Sequence, residues 1–69
     1  MLYELVIRNE DGEIISRGGI KATLRTVKKW IVENNKNYPT KDGQEFGYDE
    51  ASEDAITWKE YLSLPWWER

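Results

Sequence analysis

At Thr23 the spacing of apolar residues changes from a period of two to a period of 3.6, and no other feature restricts the fold of this chain so tightly. Before it, Tyr3, Leu5 and Ile7 alternate with other side chains in a run rich in β-branched and aromatic types, the pattern of a strand with one buried face. After it, Leu24, Val27, Ile31 and Asn34 recur at helical spacing, with Trp30 on the flank of that stripe. The switch predicts an α+β fold in which a β-hairpin packs on one amphipathic helix over residues 24–34. Thr23 is the expected N-cap, its hydroxyl accepting an N–H of the first turn, and Asn34-Asn35 supply the left-handed residue expected to end the helix.

The hairpin turns at Asn9-Glu10-Asp11-Gly12, and two geometries fit. A two-residue Asp11-Gly12 loop places Ile7 opposite Ser16, whereas a type I turn with Gly12 left-handed in a bulge places Ile7 opposite Ile15. Pairing the two isoleucines buries more apolar surface, which favours the bulged turn. Ile15 is then expected on the inward face with Tyr3, Leu5 and Ile7, and Gly18-Gly19 is expected to end the second strand.

Residues 36–55 show no sustained period, yet a structureless loop of about twenty residues is uncommon in a small domain. A third short strand over Gln44–Tyr48, with Phe46 and Tyr48 on one face, and a helical turn from Asp49 to Asp54 capped by Asp49 are the expected elements. Farther on, Thr57-Trp58-Lys59-Glu60 matches a capping box, which favours a short C-terminal helix, although the alternation of Ile56, Trp58 and Leu62 also suits a strand. Pro65 ends or restarts what precedes it. Trp30 and Trp58 are expected in the core, and residues 1–69 are expected to form one small domain.

The 69 residues contain no cysteine and no histidine. Disulfides, thiolate metal sites and imidazole proton transfer are therefore outside this chain's chemistry. Ser16, Ser52 and Ser63 have no base in the sequence pattern, no phosphate-cradling glycine spacing is present, and the carboxylates lack the oxygen spacing of a calcium loop. No cofactor, metal or catalytic residue is expected. With no apolar stretch near the roughly 20 residues of a membrane span, a cytoplasmic protein is the default expectation.

Charge is segregated along the chain. Residues 1–36 hold seven Lys and Arg against five Asp and Glu, and residues 37–69 hold three against eight. Asp42, Glu45, Asp49, Glu50, Glu53 and Asp54 fall together with no intervening base, so this segment is the candidate contact for a protein partner with a basic surface. Phe46, Tyr48 and one of Trp66 or Trp67 are candidate apolar anchors. The bland counterpart is a solvated acidic loop and an aromatic lid on a small core. A second candidate is the basic strip of Arg25, Lys28 and Lys29 on the helix, which would meet a nucleic-acid backbone; three phosphate contacts give weak affinity, and the net charge of −3 opposes approach.

The expected function is non-enzymatic binding, as an acidic modulator or inhibitor of a protein or nucleic-acid-handling complex. The alternative is a small nucleic-acid-binding or structural subunit that uses the basic strip. In size and charge alone the chain resembles phage- and mobile-element-encoded inhibitors, anti-CRISPR proteins among them; no family motif accompanies that likeness, and composition does not certify function.

Overall fold

A computed structural model describes residues 1–69. Two strands, β1 (Tyr3–Arg8) and β2 (Ile14–Ala22), lead into helix α1 (Leu24–Asn37), and then come β3 (Glu45–Glu50), the two-residue β4 (Ile56–Thr57), helix α2 (Trp58–Ser63) and a 3-10 turn over Trp66–Glu68. The sheet has the order β3-β1-β2-β4. β1 is antiparallel to both of its neighbours, and β4 runs parallel to β2. The fold is the expected α+β arrangement of hairpin and helix, extended by two edge strands and a second short helix.

Thr23 caps α1 by accepting from the Thr26 N–H. Asn34-Asn35 do not end it. The helix continues to Asn37, no non-glycine residue has a positive φ, and the extended Tyr38 closes the last turn by donating its N–H to the Asn34 carbonyl. The Asn34 side chain explains the continuation: its amide donates to the Trp30 carbonyl one turn back, a contact that fits a residue inside the helix. In α2 the Thr57 hydroxyl accepts from the Glu60 N–H, and the Glu60 carboxylate accepts in return from the Thr57 N–H, so the capping box decides for helix.

The hairpin has the bulged turn but not the expected register. Gly12 has φ +82°, its N–H donates to Asn9 O, and the Asn9 N–H reaches Glu13 O. The ladder starts as the bulged turn requires, with Arg8 facing Ile14, and then slips by one residue, so that Ile7 faces Ser16. Ile15 is left unpaired and 47% exposed instead of buried beside Ile7. A one-residue slip exchanges the faces of everything beyond it. Without it Arg17 would oppose Leu5; with it Arg17 opposes Val6 and shares the face of Glu4. Gly18-Gly19 do not end β2 either. They form a second irregularity, with Gly19 at φ +79°, and the strand runs on to Ala22.

The two sheet faces are covered differently. Tyr3, Leu5 and Ile7, with their β3 partners Glu50, Tyr48 and Phe46, face α1, which packs over β1 and β3 and buries Val27 completely. Glu4 and Val6, with 0% and 1% exposure, lie on the other face. There residues 51–55 carry the chain from the β3 edge across to the β4 edge, burying Ala55 on the way. The expected helical turn at Asp49–Asp54 is absent because Asp49 and Glu50 complete β3 and the following residues make this crossing.

β3 is an outer strand, and its free side is partly closed. The Ala51 N–H donates to Leu2 O at 3.1 Å, which fixes the alternation of the antiparallel ladder. Glu45, Gly47 and Asp49 turn their backbone groups toward β1, and Phe46, Tyr48 and Glu50 turn theirs outward. Arg8 lies along the side-chain-free Gly47 and donates to the Tyr48 carbonyl at 3.0 Å, while Arg17 reaches the Glu50 carbonyl at 3.4 Å.

Candidate functional site

The six carboxylates expected to act together are separated by the strand that carries them. Asp42 and Glu45 stand at its start, Asp49 and Glu50 at its end, and Glu53 and Asp54 in the crossing beyond. Six strand residues span roughly 17 Å, so the two groups lie at opposite ends of the sheet.

Asp49 is the one of the six that is ion-paired within the molecule. Its carboxylate accepts from the Arg17 guanidinium at 2.8 Å, and Arg8 stands 3.7 Å from its other oxygen. The hydrogen bond from Arg17, opposed by partial burial and assisted by the charges of Arg17 and Arg8, holds the Asp49 carboxyl below its ordinary range. Arg17 is bound from two sides. It also donates to Glu4 Oε1, and the same carboxylate accepts the Ser52 N–H at 3.0 Å and the Gly19 N–H at 3.0 Å. Burial pushes the Glu4 carboxyl up, but these donors outweigh it and hold the group below its ordinary value. The Glu4, Arg17 and Asp49 network is therefore structural: one carboxylate ties β1 to Arg17 and the Gly18-Gly19 irregularity of β2 and to the crossing segment.

Asp42, Glu45, Glu50, Glu53 and Asp54 remain exposed, and none forms an ion pair. At the hairpin end they gain company that the sequence order conceals. The loop before β3 lies against the β1–β2 turn, so close that a Cβ on Gly43 would stand 3.2 Å from Glu10 Oε1. Glu10, Asp11 and Glu13 of the turn are likewise exposed and unpaired, and with Asp42 and Glu45 they form a rim of five carboxylates beside the exposed Lys41 and the partly exposed Arg8, whose guanidinium donates to the Gly12 carbonyl of the turn. No group of three or more carboxylates is close enough to hold a metal ion.

The apolar candidates divide as well. Phe46 is half-buried under α1, and Tyr48 meets Tyr3 edge to face at 5.8 Å with Lys28 Nζ 6.0 Å from its ring centre. Trp66 and Trp67 are 78% and 68% exposed and pack edge to face on each other. On α1, Arg25, Lys28 and Lys29 point to solvent without carboxylate partners.

A concave site absent from the sequence reading opens where α1 leaves β2 uncovered. It is a groove of about 390 Å³, floored by Leu5, Gly18 and Ile20 and walled by Trp30, Tyr38 and Trp58, with Glu33, Asn34 and Asn37 as its polar lining. Trp58 is thus not a core residue. It is 50% exposed, stacked on Tyr61 at 5.4 Å and tilted against the half-buried Trp30 at 6.0 Å. The one signal for this site in the sequence is the helical spacing of Trp30, Glu33, Asn34 and Asn37, which marks a second stripe beside the core stripe.

Comparison with protein-family profiles, with curated proteins and with solved structures finds no match to this chain.

Proposed function

We propose that this protein is a non-enzymatic binding module that engages a protein partner with a basic surface, and that it modulates that partner by occupying the surface. The supporting observation is the rim of Glu10, Asp11, Glu13, Asp42 and Glu45. Five carboxylates stand together at one end of the sheet and none has an ion-pair partner; Arg8, at the same turn, donates to the Gly12 and Tyr48 carbonyls, and Arg17 is bound to Glu4 and Asp49. Carboxylates left unneutralised in this way steer cationic surfaces toward them and discriminate against anionic ones. Glu50, Glu53 and Asp54 supply a second, smaller acidic end, and the exposed Trp66 and Trp67 are apolar anchors available to a contact.

The test uses a lysine oligopeptide and a DNA duplex as probes, followed by amide chemical shifts at low and moderate salt. The expected result is perturbation of residues 10–13 and 41–45 by the peptide. It should weaken as salt rises and disappear in a variant carrying Glu10→Gln, Asp11→Asn, Glu13→Gln, Asp42→Asn and Glu45→Gln that keeps its melting midpoint. Shifts that appear with DNA instead, centred on Arg25, Lys28 and Lys29, would overturn this reading in favour of the nucleic-acid alternative.

A further inference from the structure

We infer that the groove between α1 and β2 is a receptor site for an arginine side chain of a protein partner. This deepens the reading of the protein as a receptor for cationic partners while using a different surface from the acidic rim. Three aromatic rings, Trp30, Tyr38 and Trp58, wall one cavity, and ring faces attract cations through their quadrupoles. Its one charged lining residue is Glu33, which has no ion-pair partner, and no Lys or Arg lines the groove.

The remaining polar groups have the same preference. The Asn34 amide nitrogen is committed to the Trp30 carbonyl, so its oxygen is the end left to accept a ligand's donor. Asn37 is the last residue of α1. Beyond the Asn34 carbonyl, which takes the Tyr38 N–H, the carbonyls of this final turn receive no backbone hydrogen bond, and Pro39 has no N–H to offer the first of them. The negative end of the helix dipole therefore sits at the mouth of the groove. Lys36 belongs to the same turn but does not line the cavity.

An apolar floor under aromatic walls accommodates an aliphatic stem, and several acceptors beside the rings suit a cation with several donors. Arginine meets both demands: its guanidinium stacks on rings and presents a fork of N–H donors, whereas an ammonium is compact and more strongly hydrated.

The experiment titrates the intact protein with N-acetyl-arginine methylamide and, separately, with the citrulline counterpart, which has nearly the same shape and no charge. The indole N–H signals of Trp30 and Trp58 and the side-chain amides of Asn34 and Asn37 are followed. Saturable shifts with the arginine compound and none with citrulline are expected. Glu33→Gln, a surface change that leaves the fold intact, should weaken the arginine compound about three- to fivefold, and Trp58→Ala should remove the response at Trp30.

Equal responses to arginine and citrulline, or an unchanged affinity in Glu33→Gln, would overturn the inference. So would tighter binding of tetramethylammonium, which would make the groove a site for small organic cations. The variant with the neutralised rim separates the two readings. Arginine binding that survives there stands on the groove alone, whereas binding lost there and retained in Glu33→Gln sinks the groove and leaves the acidic rim as the receptor.

Discussion

Glu4 and Arg17 form an ion pair beneath the sheet, and it exists because Ile15 is squeezed out of the β2 ladder. The slip carries Arg17 onto the face where Glu4 is wholly buried, and the crossing segment closes over that face by donating the Ser52 N–H to the same carboxylate. Hydrogen bonds to a charged group contribute roughly 1.5 to 3 kcal/mol each when made, and their donors are costly when left unpaired. A small core supplies only about 3 to 5 kcal/mol in total. The fate of this one carboxylate therefore decides whether the chain folds.

Glu4→Gln keeps the side chain's shape and loses its charge, and it should cost about 2 kcal/mol in urea denaturation. Glu4→Ala strands three donors and should cost about 3 to 5 kcal/mol, close to the whole stability of the domain. Far-ultraviolet circular dichroism should then show a largely unfolded chain at room temperature. A Glu4→Ala protein with a normal midpoint would remove Glu4 from this role.

Acid should unfold the protein through Glu4 and Asp49. Both carboxyls are held below their ordinary values in the folded state, so below neutrality the unfolded chain binds more protons than the folded one. Their contribution is present in full above about pH 5, beyond the ordinary carboxylate range, and is lost as pH falls through their folded-state values, which lie below that range. With no histidine in the chain, the denaturation midpoint should stay flat across roughly pH 6 to 8. A midpoint that rises on acidification would contradict the sign.

Charge reversal should separate Asp49 from its neighbours. Changing Glu50, Glu53 and Asp54 to lysine together should leave the melting midpoint nearly unchanged, because all three are exposed and unpaired. Adding Asp49→Lys sets a third cation beside Arg8 and Arg17 and should lower the midpoint clearly. Thermal melts of the triple and quadruple variants give the comparison, and equal midpoints would mean that the Asp49 pair contributes nothing.

Thr57→Ala removes the hydroxyl that accepts the Glu60 N–H and should cost about 1 kcal/mol. The loss should be accompanied by faster amide exchange confined to residues 58–63. Exchange that quickens uniformly through the sheet would instead mean that α2 and the sheet open as one unit.

Local signals carried most of the fold into view. The change of period at Thr23, its role as a cap, the Asn9–Gly12 turn and the Thr57–Glu60 box each act within a few residues, and each stands where the side-chain chemistry placed it. What escaped depends on distant chain. Glu4 alternates with Tyr3 and Leu5 and so looks solvated, because nothing near it in sequence shows that residues 51–55 will cover that face. The doubled glycine at 18–19 did mark an irregularity, but the same residues suit a strand end, and the choice rests on Glu4 accepting the Gly19 N–H. For the candidate site, the acidic composition was plain. Its division by β3 and the addition of Glu10, Asp11 and Glu13 come from two loops meeting in space. The groove stayed hidden because its walls belong to α1 and α2, which are separate in sequence.

The guanidinium groups that close over Tyr48 and Glu50 carry a consequence for the molecule in a crowded solution. A strand from another chain arriving at that flank would find the Phe46 oxygen as its one open acceptor and would have to displace two cations to gain more. That flank keeps its outward N–H groups but only one open carbonyl, which makes it a poorer template for the stacking of like chains than a bare edge strand.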